Sequence, residues 1–184
     1  GGGGLDTPNA YKGPLTRFAS QPDLSPKGRG EEAAEENQQM TDTDKSLFAA
    51  AEAIRTKAYA PYSNFHVGAA ILADDGKIYS GCNIENAAYP QGNCAETSAI
   101  AAMIAGGARR IQRIYVTGPG SAPVTPCGGC RQRIREFADL DVEVISHGVD
   151  GTPLVQTLGQ LLPHSFGPEF LGLEPAAGKF TPVE

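Results

Sequence analysis

Residues 94–107 read CAETSAIAAMIAGG, and residues 127–138 read CGGCRQRIREFA. Both stretches are predicted helices that begin at a cysteine, and the first ends at two glycines, a common helix stop. A thiol at a helix start lies beside unpaired backbone N–H groups and the positive end of the helix dipole. We therefore expect Cys94 and Cys127 to ionise easily.

The segments around these helices predict an α/β domain with a sheet between helices. Thr41 and the acids after it form a capping signal for a first helix, which Pro61 ends. Two strands are predicted to form a hairpin that turns at residues 74–76, DDG. Two later strands alternate with helices, so we expect them to be parallel. The predicted strands are HVGAAILA (66–73), KIYSGCN (77–83), RIYVTG (113–118) and VEVIS (142–146), and the last predicted helix is LGQLLPHSF (158–166).

The composition argues against a nucleic-acid-binding or membrane protein. The 184 residues carry a formal net charge of −6, whereas a protein that coats nucleic acid needs a basic face. No apolar run approaches the roughly 18 residues of a membrane span, and no signal peptide is predicted. We therefore expect a cytoplasmic protein, in which clustered cysteines indicate a metal or catalysis more often than a disulfide.

The first 40 residues differ from the rest of the chain. They are rich in glycine, proline and charge and have no sustained apolar period. We interpret residues 1–40 as a disordered N-terminal extension, because such a segment cannot bury enough surface to offset its chain entropy. Met40 as the biological start is a further hypothesis. The folded domain is predicted over residues 41–184.

Cys94, Cys127 and Cys130 form a candidate zinc site. A C-x-x-C pair on one helical turn offers two thiolates to one ion, and a third comes from the other helix start. Zinc accepts soft ligands in a tetrahedron. A structural site with Cys82 as the fourth ligand is one alternative, although Cys82 lies alone in a predicted strand and fits a small core residue better. A redox C-x-x-C pair is another, but it leaves Cys94 unexplained.

Glu96 favours a catalytic site. An acid in the first turn of a helix is usually only a partner of the helix dipole. Beside a zinc ion with an open position, however, Glu96 can take a proton from water and return it to a leaving group. Cys-x-Glu followed by Pro-Cys-x-x-Cys is the pattern of zinc deaminases. Two separate motifs agree here in residue type, spacing and helix placement.

Four segments, in order, resemble the small, homotetrameric type of zinc-dependent cytidine deaminase. They are APYSNFHVGAA (60–70), GCNIENAAYPQGNCAE (81–96), PCGGCRQ (126–132) and LLPHSFGPEFL (161–171). The resemblance covers roughly residues 44–171. It implies a three-layer α-β-α sandwich with a mixed five-stranded sheet, one Zn²⁺ per subunit, and a homotetramer that shares its active sites between subunits. It also implies a hydrolase of pyrimidine salvage that converts cytidine, and 2′-deoxycytidine, to the uracil nucleoside and ammonia.

The resemblance also implies the roles of individual residues. A flat base suits an aromatic platform, and a ribose hydroxyl suits an amide with a carboxylate, which would also repel a phosphate. Without the resemblance, Phe65 could equally be a core residue, Phe166 would be interpreted as core packing, and Asn83 and Glu85 as ordinary loop residues. The implied roles are zinc binding for Cys94, Cys127 and Cys130, proton transfer for Glu96, ribose binding for Asn83 and Glu85, base stacking for Phe65, base reading by the backbone at Ala95, and contact with a neighbouring subunit's pocket for Tyr89 and Phe166.

One position departs from the family pattern. Many small members carry an arginine directly after the catalytic glutamate, whereas this chain has Thr97. Three thiolates leave a zinc site net negative, which makes bound water less acidic. The Thr97 hydroxyl is able to donate a hydrogen bond to a thiolate but cannot neutralise its charge, and we expect Arg131 to supply the offsetting charge. His66, His147 and His164 have no ligand-like spacing and are interpreted as structural or surface residues.

Two other functions stay open at this point. One is deamination of a different base or of a cytosine-bearing antibiotic, since the same zinc chemistry serves many pockets. The other is a zinc-stabilised binding module without turnover. A polynucleotide editor is disfavoured by the acidic charge and by the lack of a basic groove with interleaved aromatic residues.

Overall fold

The structure is a computed structural model, and it describes residues 40–172. The predicted N-terminal extension, apart from Met40, lies outside the described residues, as do residues 173–184. The helices are α1 (Asp42–Arg55), α2 (Ala95–Ala105), α3 (Gly128–Phe137) and α4 (Leu158–Leu161), and the strands are β1 (Gly68–Ala73), β2 (Ile78–Cys82), β3 (Ile111–Gly118), β4 (Glu143–Gly148) and β5 (Leu154–Thr157). Short 3₁₀ turns cover Tyr89–Gln91 and Pro168–Leu171. Within the described range, no helix has both the length and the apolar character that crossing a membrane requires.

The five strands form one mixed sheet in the order β2-β1-β3-β4-β5. The β1–β2 hairpin is antiparallel and turns at Gly76, whose φ of 75° lies in the region that glycine enters without strain. β3 and β4 are parallel, as predicted, and β5 returns antiparallel along β4. The sequence pattern did not predict β5, whereas the five-stranded sheet that the resemblance implied is confirmed.

Helices cover both faces of the sheet. On one face, Leu47 and Ala51 of α1 pack against Tyr115 and Ile145. On the other face, α2 and α3 bury a larger cluster that includes Met103 of α2. The predicted three-layer α-β-α sandwich is therefore confirmed, and the two helices that begin at cysteines lie side by side in one layer.

Helix α1 begins as the sequence predicts and ends earlier. Thr41 and Asp44 form a capping box, in which each side chain accepts a hydrogen bond from the other residue's backbone. The helix stops at Arg55 because Tyr59 then pairs with the segment after β2. The Tyr59 amide donates to the Asn83 carbonyl at 3.1 Å. This pairing draws the segment after α1 to the end of the sheet where α2 begins.

Because Gly81 has no side chain, α2 packs closely against the backbone of β2. A β-carbon there would lie 2.3 Å from the Ala99 backbone nitrogen and 2.7 Å from the Ser98 β-carbon. These distances are far below van der Waals contact. Helix α2 therefore packs directly on the β2 backbone, and this contact determines the positions of Cys94 and Glu96 at the start of α2.

Candidate metal centre and active site

The starts of α2 and α3 bring three thiols together. Cys94 is the N-cap residue of α2, Cys127 is the N-cap residue of α3, and Cys130 lies in the first turn of α3. Neither N-cap side chain bonds to its own helix backbone, so both sulfurs remain free to bind a ligand. The three Sγ atoms lie within 4.8 Å of one another. The predicted ligand set is thus assembled at one point.

The geometry of the sulfurs fits zinc. The Sγ atoms of Cys94 and Cys127 are 3.9 Å apart. Two thiolates on a tetrahedral zinc, each about 2.3 Å from the ion, are separated by roughly 3.8 Å. Cys82 is half-buried in β2 and does not belong to the cluster. Among residues 40–172 the cluster therefore offers three protein ligands, which suits a catalytic site better than a closed structural one.

Neighbouring thiols shift one another's pKa in this cluster. A hydrogen bond from Cys130 is the main factor that lowers the pKa of Cys94, to about 6. The pKa of Cys130 is raised, first by that hydrogen bond and then by burial. Cys94 is thus favoured as the thiolate, and Cys130 as the thiol that donates a hydrogen bond to it. Zinc binding displaces the remaining thiol protons, so affinity for the metal rises with pH.

Glu96 lies one residue inside α2 and is almost completely buried, with 4% of its surface exposed. Burial raises the pKa of its carboxyl group, while the Cys130 thiol acts in the opposite direction. Because its pKa is raised, a carboxyl group that is buried beside the sulfurs binds a proton more readily than the carboxyl group of an exposed glutamate. The environment of Glu96 is therefore suited to proton transfer.

A cavity of about 520 Å³ opens beside Cys94. Three residues named from the sequence line it together with Cys94, namely Asn83, Glu85 and Tyr89. The sequence reasoning did not assign a role to the remaining lining residues, although they lie in the segments that carry the resemblance. These are Tyr62, Ser63, Ile84, Asn86, Gly92 and Asn93.

Glu85 is held as a carboxylate at this cavity. Its Oε2 atom accepts hydrogen bonds from the backbone amides of Tyr62 at 2.8 Å and Ser63 at 3.2 Å, and the Ser63 hydroxyl donates to Oε1. The Ser63 hydroxyl is the main factor that lowers the pKa of Glu85. The carboxylate is therefore fixed in place and retains acceptor sites for a ligand.

Asn83 holds the segment that carries Phe65. Its Oδ1 atom accepts from the Val67 amide, and its Nδ2 atom donates to the Phe65 carbonyl, both at 2.8 Å. One Nδ2 hydrogen remains available for a ligand. Phe65 does not line the cavity, but 44% of its surface is exposed, which excludes a core role in this chain. The amide thus couples the predicted base platform to the predicted ribose site.

A backbone bridge joins the two ends of the cavity. Ile84 and Asn93 exchange amide hydrogen bonds in both directions, each at 2.9 Å. Asn93 immediately precedes Cys94, and Ile84 lies between Asn83 and Glu85. The polar pair and the metal ligands are thus connected through backbone hydrogen bonds.

The two predicted partner-contacting aromatics are highly exposed. Tyr89 is 78% exposed and makes an edge contact with Tyr62 at the cavity. Phe166 is 57% exposed and stacks on Phe170, with ring centroids 5.2 Å apart. Phe166 does not line the cavity of its own chain.

Neither of the two residues named for charge tuning donates a side-chain hydrogen bond to a cysteine sulfur among residues 40–172. The Oγ1 atom of Thr97 is buried and has no hydrogen-bond partner in that range, and its role at the site stays a prediction. The Arg131 guanidinium donates to the Pro126 carbonyl at 2.7 Å and to the Leu161 carbonyl at 2.9 Å. Arg131 therefore braces the loop before Cys127 against α4, and its role in charge tuning stays a prediction.

Comparison with known proteins agrees with this geometry. The sequence-family model of the cytidine and deoxycytidylate deaminase zinc-binding region matches residues 41–146 of this chain. A cytidine deaminase from Sporosarcina psychrophila is 44% identical over 127 residues, which cover 69% of this chain and 93% of that protein. The crystal structure of cytidine deaminase from Burkholderia pseudomallei superposes with a TM-score of 0.64 at 45% identity, over 69% of this chain and 100% of that one. The structure from Mycobacterium tuberculosis gives 0.61 at 35% identity, over 69% and 98%. The chain belongs to the zinc-binding cytidine and deoxycytidylate deaminase family.

Proposed function

We propose that this protein is a hydrolase that converts cytidine and water to uridine and ammonia, with 2′-deoxycytidine as a second substrate and one Zn²⁺ per subunit. The observation that carries the proposal is the three-sulfur cluster with the buried Glu96 beside it, at the edge of a cavity of about 520 Å³. That cavity volume lies within the range of ordinary small-molecule sites. Family membership supports deamination as the reaction.

Cys94, Cys127 and Cys130 would hold the zinc ion. When bound, zinc supplies a Lewis acid that lowers the pKa of a water molecule. The remaining chemistry is proton transfer, which we assign to Glu96. Its carboxylate accepts a proton from water and donates it to N3 of the cytosine ring as oxygen adds to C4. It then carries the proton of the new C4 hydroxyl group to the 4-amino group. The C4–N bond breaks as the C4=O bond forms, and ammonia leaves.

Glu85 and Asn83 would bind the sugar. The fixed Glu85 carboxylate accepts a hydrogen bond from the ribose 3′-hydroxyl, and the free Nδ2 hydrogen of Asn83 donates one to the same oxygen. A carboxylate at this position repels a 5′- or 3′-phosphate. We therefore propose a nucleoside rather than a nucleotide as the substrate. The Phe65 ring would stack on the base, and the Ala95 backbone would read its edge.

A homotetramer with shared active sites fits the exposed aromatic residues of this chain, two of which line the cavity. Tyr62, Tyr89 and Phe166 are each more than half exposed, which is costly for an isolated chain. A neighbouring subunit that covers them would contribute Phe166 or Tyr89 to the cavity. We propose a cytoplasmic protein of pyrimidine salvage, and sedimentation at several concentrations tests the tetramer.

The deciding experiment is the ultraviolet absorbance change when the full chain is added to cytidine, before and after removal of zinc with a chelator. Conversion to uridine that stops on chelation and returns with Zn²⁺ would support the proposal. A parallel panel should contain 2′-deoxycytidine, cytosine, cytidine 5′-phosphate and a cytosine-bearing antibiotic. Zinc binding with turnover of only the antibiotic, or of nothing, would refute the proposed substrate.

A further inference from the structure

Among residues 40–172, neither Thr97 nor Arg131 donates a side-chain hydrogen bond to a cysteine sulfur of the proposed metal site. Zinc and three thiolates carry a net charge of −1, and Thr97 is neutral. Arg131 directs its guanidinium at two backbone carbonyls on the side of α4. An uncompensated anion next to the buried Glu96 would hinder ionisation of water at the metal. Another cation near the sulfurs would remove this difficulty.

Arg133 lies on α3, four residues after Gly129. Residues four apart share one face of a helix, and side chains lean toward the helix N-terminus. The position of a β-carbon on Gly129 would lie 3.1 Å from Nη1 of Arg133 and 4.0 Å from Sγ of Cys127. The guanidinium and the sulfur thus flank the space that Gly129 leaves empty. Any side chain at residue 129 would compete with the guanidinium for that space.

The Arg133 guanidinium is free for this role. It makes no hydrogen bond or ion pair with any other residue in the range 40–172, unlike Arg131 and Arg135 on the same helix.

We propose that Arg133, folded back along α3 over Gly129, supplies the positive charge that balances the thiolates of the metal site. This inference rests on the proposed zinc site but not on the identity of the substrate. Arg133 is a positioning residue, because it acts through the thiolates and does not itself touch the reacting atoms. Gly129 leaves room for the Arg133 side chain, and Arg133 then provides the positive charge that Thr97, the residue after Glu96, does not carry.

Zinc affinity, measured without substrate by competition with a chromophoric chelator, tests the proposal. Because Arg133 is exposed, its charge acts through a dielectric close to that of water. At a separation of about 5–7 Å, Arg133→Gln should then weaken zinc binding roughly three- to fourfold at low ionic strength. In 0.5 M salt the deficit should fall to about twofold or less, because the screening length shrinks to roughly 4 Å. Arg133→Lys should recover most of the affinity. Thermal unfolding of the zinc-free variants checks that they fold.

A matched pair of glycine variants tests the geometry. Gly129→Ala should displace the guanidinium and weaken zinc binding about two- to threefold. Gly128→Ala, whose β-carbon meets nothing within 4 Å, should leave it unchanged. The two substitutions are equivalent in helix propensity. Once Arg133 is glutamine, Gly129→Ala should have no further effect.

Several results would overturn the proposal. These are an unchanged zinc affinity in Arg133→Gln, a deficit that persists in high salt, or independent effects of Gly129→Ala and Arg133→Gln. Failure of the wild-type protein to turn over cytidine would instead refute the proposed function. The zinc measurement would still be interpretable in that case, because it uses the metal alone.

Discussion

Replacing Gly81 with alanine should damage both stability and catalysis through one displacement. The new β-carbon would lie 2.3 Å from the Ala99 nitrogen, whereas contact distance is about 3.5 Å. Helix α2 must therefore retreat from β2 by roughly 1 Å. The obstacles include helix backbone, so rotation of a side chain cannot relieve the contact. Overpacking of this kind costs about 1–3 kcal/mol of unfolding free energy, and we expect the upper half of that range.

The same retreat moves the start of α2, where Cys94 and Glu96 lie. A displacement of about 1 Å at a reacting group lowers a rate by roughly 100-fold. We therefore expect a similar fall in kcat for cytidine in Gly81→Ala, with zinc still bound at saturating concentration. Urea unfolding of the zinc-loaded protein and steady-state kinetics measure the two effects. Gly128→Ala, which adds a methyl group in open space, is the control for both. A loss below about 0.5 kcal/mol together with an unchanged kcat would refute the close seating of α2 on the sheet.

Three further substitutions test separate parts of the structure. Glu96→Gln should retain one zinc per subunit, by metal analysis, while kcat falls roughly 10³–10⁴-fold, and substantial residual turnover would reject Glu96 as the proton carrier. Arg131→Ala should destabilise the protein by about 2 kcal/mol in urea unfolding, because two carbonyls lose a charged donor, yet leave zinc affinity within about twofold. A larger loss of zinc affinity would return the charge-balancing role to Arg131. Asp75→Asn probes pH dependence: hydrogen bonds from Lys77 and then Tyr79 lower the pKa of Asp75 from 3.8 to about 2. The stability advantage of the wild type should be complete above pH 3.8 and vanish as pH falls through 2, and a constant difference would contradict this assignment.

The metal ligands were predictable because their chemistry is distinctive. Few residue types bind zinc, and cysteine at two helix starts with a glutamate two positions later leaves few other interpretations. The hairpin was predictable for a similar reason, since DDG between apolar runs demands a turn. Strand β5 was not, because Leu154–Thr157 is short, lies at the sheet edge and has no fully buried residue. Only the resemblance supplied the fifth strand.

Side-chain direction accounts for what the sequence did not reveal about the site. Arg131 follows a zinc ligand, and adjacency suggested that its charge faces the metal. Consecutive residues on a helix point about 100° apart, so adjacency alone did not predict that the Arg131 guanidinium binds the carbonyls of Pro126 and Leu161. The four-residue spacing from Gly129 to Arg133 is the sequence feature that points to the proposed charge partner. It places a residue without a side chain and a long cationic side chain on the same face of α3. The orphaned Thr97 hydroxyl depends on tertiary packing and leaves no trace in the sequence.

The bridge between Ile84 and Asn93 gives the cavity a fixed length. Two amide hydrogen bonds tie Ile84, the residue next to Glu85, to Asn93, the residue before Cys94, so the Glu85 end, where we propose the sugar binds, and the Cys94 end cannot move apart independently. A molecule that reaches only one end has no second contact to hold its reacting carbon in place, since the cavity cannot contract around it. Free cytosine should therefore lose rate as well as affinity. The backbone would in this way favour a substrate long enough to reach both ends of the cavity. The side chains would favour it through their hydrogen bonds and charges.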